Sequence, residues 1–256
     1  MTTNGQTVHD LLREVALARG LRRSTYLHYQ RLLTRLDLLD REVGEVAQGD
    51  VVESLWSIDS PNTRRAAVIC LRSVFGWPMK IPRGIPRRYD LPDEDTLRLA
   101  LMTTPHEPRG LLMMYAGLRI GEACAITSSD VTGDRLRVDK QVQQLHETGK
   151  PTTTKVGPTK SGVAEVVIPH FLTGVVLSLD KTTKPDVVRE SIRRAGLKVG
   201  IRLNPHMLRH WYASTMLARG VPLSVVSEQM RHSDIAVTLR TYSQANTSRT
   251  IHDTFG

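Results

Sequence analysis

The sequence predicts a mainly α-helical chain with a small antiparallel β-sheet, divided into two domains. Three observations lead there. Apolar residues recur at helical spacing through both halves; two stretches, RLRVDKQVQQL and VAEVVIP, alternate apolar with polar; and GWPMKIPRGIPRRYDLP interrupts all periodicity with proline, glycine and cations. At 256 residues the chain has enough material for two modest buried cores.

The first domain is read as residues 1–76. From Thr7 to about Phe75 the apolar positions fall on helical stripes, as in Tyr26, Tyr29, Leu33 and Leu36, while Arg31 and Arg35 fall on another face. Pro61 opens the last helix, whose Ala67, Leu71, Val74 and Phe75 form one stripe. Arg65 and Arg72 project from nearly the opposite side, as cations that track a DNA backbone or as an ordinary solvated face. Residues 77–92 cannot continue a helix and read as an extended basic linker, with Lys80, Arg83, Arg87 and Arg88 placed to meet phosphates.

The second domain is expected over residues 93–245. Helical periodicity resumes at Asp93 through Leu97 and Leu101, then in LLMMYAGLRIGEACAI, which turns at Gly117 and whose Met113 and Met114 read as core. The two alternating stretches follow as antiparallel strands, joined by a long connection that holds Lys155 and Lys160. Helices then return, punctuated by Asn204 with Pro205, Gly220 with Pro222, and Ser233 with Asp234.

A formal net charge of +9 favours a polyanionic partner, nucleic acid ahead of an anionic membrane surface. No apolar run approaches the roughly 20 residues needed to cross a bilayer, and the N-terminus has no secretory pattern, so a soluble intracellular protein is expected. Cys70 and Cys124, each inside an apolar helical pattern, read as buried free thiols.

Six residues form a set suited to breaking a phosphodiester: Arg119, Lys160, His206, Arg209, His232 and Tyr242. In NPHMLRH, Asn204 caps a helix that opens with Pro205, which places His206 at the N-terminal end and Arg209 one turn on. Helix N–H groups, an imidazole and a guanidinium suit a phosphate seat, with an ordinary surface pair as the alternative. His206 and His210 also have the i, i+4 spacing of zinc ligands, but no glutamate follows His206 and no thiolate is near in sequence. Arg119 lies in an apolar helical context where a cation needs a partner, and Glu122 is one turn away. In MRHSDIAVTLRTY, Ser233 caps a helix that turns Val237 and Leu239 inward and carries Tyr242 in its last turns. A phenol near pKa 10 needs activation, which two arginines and an imidazole supply.

The succession GLRIGE, PTKSG in a strand-to-strand turn, HMLRH and RHSDIAVTLRTY resembles the tyrosine recombinase family of phage-type integrases, over about residues 93 to 245. The resemblance implies an N-terminal all-helical core-binding domain and an α+β catalytic domain. It further implies that Arg119 and Arg209 clamp the scissile phosphate and stabilise its five-coordinate transition state, with Glu122 orienting Arg119. Tyr242 would attack phosphorus to give a 3′-phosphotyrosyl ester, His206 assisting as base; Lys160 would protonate the leaving 5′ oxygen, with Lys155 as competitor; His232 would bond a nonbridging oxygen. No metal or cofactor is implied. One departure stands out: Arg231 occupies the place usually held by glycine before the third-motif histidine, which alters the turn or adds a DNA contact.

The resemblance also implies double-stranded attachment-site DNA as partner, a homotetramer on DNA that is monomeric when free, a directionality or DNA-bending accessory protein, and action in the cytoplasm of a bacterial host. Residues 246–256, with Ile251 and Phe255 at helical spacing, are read as a tail that exchanges between protomers, with packing in cis or a frayed terminus as the alternatives. Few residues precede the first helix, so a compact form without an arm-binding domain is expected. Alternatives are a chromosome-dimer resolvase or transposon recombinase, a type IB topoisomerase, an inactive DNA-binding regulator, and a zinc hydrolase.

Overall fold

A computed structural model describes residues 5–85, 91–145, 152–159 and 161–231. Arg87, Arg88, Lys160, His232, Tyr242 and the tail 246–256 lie outside the described residues. The described residues form two compact units, 5–85 and 91–231.

The first unit is helical: α1 (Val8–Ala18), α2 (Arg23–Arg35), α3 (Gln48–Trp56) and α4 (Pro61–Phe75). Its core gathers Val8, Leu12, Leu33, Leu36, Leu71 and Val74, so the stripes read from sequence face inward. Local signals set the helix ends. Thr7 and Asp10 form a capping box on α1; Ser60 caps α4 ahead of Pro61; and Gly76 closes α4 in the left-handed region, at φ 71°.

The segment after α4, read from sequence as an extended basic linker, is packed in part against the first unit. Trp77, Met79 and Ile81 pack against the helical core, and the Trp77 ring stacks on Phe75 with centroids 4.3 Å apart. Extended backbone puts alternate residues on one side, so three apolar residues at spacing two bury together despite the surrounding prolines and cations. Arg65 and Arg72, read from sequence as a DNA-facing pair or a solvated face, donate to the carbonyls of Pro82 (2.5 Å) and Met79 (3.0 Å). Asn62 exchanges two hydrogen bonds with the backbone of Ile85, each 3.0 Å. Lys80 and Arg83 remain exposed.

The second unit opens with α5 (Glu94–Met102), capped by Asp93, and α6 (Glu107–Tyr115). After the turn at Gly117 comes one turn of helix, α7 (Ile120–Ala123). Five strands follow: β1 (Val131–Thr132), β2 (Arg135–Val138), β3 (Lys140–Leu145), β4 (Thr153–Pro158) and β5 (Ala164–Val167). The end of the unit is α8 (His170–Leu177), α9 (Pro185–Lys198), α10 (Pro205–Ala218) and α11 (Leu223–Gln229). Its core includes Leu97, Leu101, Met113, Met114, Ile126, Leu136, Ile192 and Leu208.

The strands are antiparallel, as expected, but make two sheets. One runs β1-β2-β5 with Leu136 opposite Val166; the other is β3-β4 with Val142 opposite Val156. RLRVDKQVQQL is therefore two strands that part company at Asp139, and the connection holding Lys155 is in part a strand. Alternation could not reveal β4, because five of its six residues are exposed and no face of it is buried. No helix among the described residues is long and apolar enough to cross a membrane.

Cys70 and Cys124 are buried and free, and burial pushes both thiols up to about 12. Neither thiol is expected to react with an aromatic disulfide reagent in the native protein at pH 8, whereas both should react in denaturant. Rapid reaction of either native thiol would contradict this packing.

Candidate active site

The site is assembled where the turn at Gly117, the helix α7, the N-terminal half of α10 and the end of α11 meet. Gly117 has φ 62°, and a Cβ there would lie 2.7 Å from the Tyr212 ring. Glycine is thus required twice, by backbone conformation and by the close passage of α10. Its carbonyl is turned toward Arg209, whose Nη1 donates to it.

Arg209 projects from α10, whose N-terminus is fixed by the Asn204 side chain accepting from the N–H groups of His206 (3.0 Å) and Met207 (3.1 Å). The Arg209 side chain is buried, and Nη2 donates to the Met230 carbonyl at 2.6 Å. His206 lies exposed at the same helix end, its ring edge-to-face with His210 at 4.3 Å. Among the described residues no group of three or more His, Cys, Asp or Glu side chains is arranged to hold a metal ion.

Arg119 is the N-cap of α7. Its Nη1 donates to Glu122 Oε1 and to Ser161 Oγ, both at 3.0 Å, and its Nη2 donates to the Arg231 carbonyl at 3.0 Å. Arg209 and Arg119 therefore hold carbonyls of adjacent residues, Met230 and Arg231, whose Cα atoms are about 3.8 Å apart across a trans peptide. The two guanidiniums expected to act together are brought to one place.

Glu122 is only 1% exposed. Its Oε1 accepts from Arg119 Nη1, while its Oε2 accepts from the Arg119 backbone N–H (2.7 Å) and from Arg231 Nη2. Burial pushes the carboxyl up, but the charge of Arg231, the Arg119 N–H and the charges of Arg119 and Arg209 outweigh it, holding Glu122 below the ordinary glutamate range. Sequence proximity anticipates the Arg119 contact, but not the second arginine.

Arg231 settles the departure noted in the sequence. It takes the left-handed conformation, φ 54°, so the turn is kept, and its side chain is 3% exposed, directed to Glu122 rather than outward. Two further residues escaped sequence reading. Ser161 bonds both Arg119 and the Arg231 carbonyl, signalled only by its place next to Lys160 in the KSG turn. Buried Arg109, from α6, donates Nη1 to the carbonyls of Ala123 and Ile126 and Nη2 to that of Lys181, each at 2.6 Å, and so braces the C-terminal end of α7. Lys155 stands exposed on β4, opposite Gln143.

Because the carboxyl of Glu122 is depressed, its contribution to stability is complete above the unfolded glutamate pKa and disappears as pH falls through the folded value. Glu122→Gln should lower unfolding free energy by about 3 kcal/mol at pH 7, the scale of breaking a buried ion pair. Denaturant titrations of the two proteins should converge as pH drops below about 4; a constant gap would contradict the charge assignment. Gly117→Ala should cost about 2 kcal/mol or more, measured the same way.

Residues 91–249 match the model of the phage integrase family. The chain is similar to a tyrosine recombinase XerA of Saccharolobus solfataricus, 40% identical over 219 residues, covering 78% of this chain and 68% of that one. It is also similar to a tyrosine recombinase XerA of Thermococcus onnurineus, 27% identical over 175 residues, covering 63% of this chain and 59% of the relative's length. Its fold is similar to that of the Tn1549 transposon integrase in complex with a circular intermediate DNA, with TM-score 0.73 at 16% identity, covering 96% of this chain and all of that one. A lambda integrase dimer bound to a COC′ core site gives TM-score 0.66 at 15% identity, covering 92% and 95%. The match across the unit that carries the arginine site establishes that the chain belongs to the phage integrase family of tyrosine recombinases.

Proposed function

We propose that this chain is a site-specific DNA strand transferase that cuts and rejoins duplex DNA through a 3′-phosphotyrosyl ester. The observation that carries this reading is the pair of guanidiniums, Arg119 and Arg209, anchored on adjacent carbonyls around one buried carboxylate. Each is fixed by the protein before any ligand arrives, so little reorganisation is needed when charge develops on phosphorus. A forked cation fits the nonbridging oxygens of a diester better than a lysine would.

On this reading Tyr242 attacks phosphorus, His206 takes its proton, Lys160 delivers a proton to the 5′ oxygen, and His232 binds a nonbridging oxygen. Ser161 lies within hydrogen-bond reach of Arg119, which supports the KSG turn as the source of the general acid and favours Lys160 over the exposed Lys155. The bond energy stays in the ester and is returned when the 5′ hydroxyl of another strand attacks, so the chemistry calls for neither nucleotide nor metal.

Residues 1–76 and the cations Lys80, Arg83, Arg87 and Arg88 would hold the flanking duplex. Arg65 and Arg72, which bond the packed segment after α4, would act by shaping it. The proposed substrate is an attachment site into which phage DNA is integrated in the host cytoplasm, by four protomers that exchange residues 246–256, with an accessory bending or directionality protein. Relatives named for XerA and a neighbour from a transposon favour a second reading, resolution of chromosome dimers or movement of a transposon, with the same residues in the same roles.

The test is a denaturing gel of the protein incubated with nicked, labelled duplex selected by the protein itself from a random-sequence pool. Wild type should yield a covalent complex in the presence of a chelator, and Tyr242→Phe should bind the same duplex without forming it. Arg119→Ala and Arg209→Ala should slow ester formation about 10²- to 10³-fold or more. An ester that survives Tyr242→Phe would overturn the assignment of the nucleophile.

A further inference from the structure

We propose that Arg231 is a positioning residue for the phosphate clamp, holding Arg119 through Glu122 and through its own carbonyl; this deepens the strand-transfer reading and rests on it for the identity of the phosphate. Three features of Arg231 are each unfavourable taken alone. Its backbone lies at φ 54°, where a side chain is disfavoured and glycine would sit freely. Its guanidinium is buried. Among the described residues its buried Nε has no hydrogen-bond partner. A residue that combines all three is not a passive filler of the turn.

The geometry shows what they achieve. Arg231 Nη2 takes Glu122 Oε2, which leaves Oε1 to Arg119 Nη1. The Arg231 carbonyl accepts from Arg119 Nη2 and from Ser161 Oγ, both at 3.0 Å. One residue thus fixes the carboxylate that orients Arg119, bonds that arginine directly, and ties in the turn that carries Lys160. Without the Arg231 charge, Glu122 would be free to rotate toward Arg119 alone and draw its fork away from a ligand.

Charge balance points the same way. Arg119, Arg209 and Arg231 face one carboxylate, leaving two positive charges unbalanced among these four groups. A phosphodiester brings one negative charge and its five-coordinate transition state brings two. The cluster is therefore the better complement of the transition state.

The test compares the 256-residue chain with Arg231→Met, Arg231→Lys, Glu122→Gln and the double variant Glu122→Gln with Arg231→Met. Two readouts are taken: single-turnover ester formation on the nicked duplex at saturating DNA, and affinity for inorganic phosphate followed by arginine side-chain NMR. Arg231→Met should slow ester formation at least about tenfold while duplex affinity stays within about threefold, and Arg231→Lys should recover part of the rate. The methionine substitution should cost little more where Glu122 is already glutamine, since the two act in one chain of contacts. Phosphate affinity should fall in the same order.

Arg231→Gly relieves the left-handed backbone while removing the guanidinium, and keeps the comparison readable if the methionine variant does not fold. Unchanged phosphate affinity in a folded Arg231→Met or Arg231→Gly protein overturns the positioning role, whatever the ester assay gives. If wild type forms no ester yet binds phosphate more tightly than either variant, the strand-transfer reading fails and the positioning role stands.

Discussion

The structure of the site depends on one buried carboxylate shared by two arginines. Glu122 is 1% exposed, and an isolated charge there would be untenable. Arg119 and Arg231 neutralise it from two sides, and a backbone N–H completes the set. Each arginine is held in turn by what the carboxylate fixes, so the four-residue turn α7, too short to be stable by itself, becomes a rigid platform. The surrounding helices bring the far-apart segments 117–122, 204–209 and 230–231 to this point, and the hydrophobic core beneath them sets the distances.

Much of this was legible beforehand. Helical stripes such as Tyr26 to Leu36, the helix opening at Pro61, the cap at Asn204 and the turn at Gly117 are local signals, and local signals survive tertiary packing. The pairing of Arg119 with Glu122 was legible for the same reason, since helical spacing alone brings them together. The gathering of Arg119 with Arg209 was anticipated from their chemistry and their family order rather than from any spacing in the chain.

What escaped reading depends on partners distant in sequence or on surfaces without a buried face. β4 carries no hydrophobic alternation because it is exposed along most of its length. The packed segment of Trp77, Met79 and Ile81 hid among prolines and cations, whose composition outweighed a three-residue apolar alternation. Arg231 read as altering the turn or adding a DNA contact, and its pairing with Glu122 escaped because that partner is 109 residues away. Arg109 gave no signal at all: an arginine in an amphipathic helix looks solvated until the carbonyls that it satisfies are known.

That last residue carries a warning for anyone surveying damaged variants. Arg109 seats the far end of the same one-turn helix whose near end presents Arg119, and it does so entirely through main-chain oxygens. A substitution at Arg109 would masquerade as a chemical lesion, silencing the protein from a spot that no DNA strand need ever visit. Only its melting behaviour would betray that the fault lies in the scaffolding.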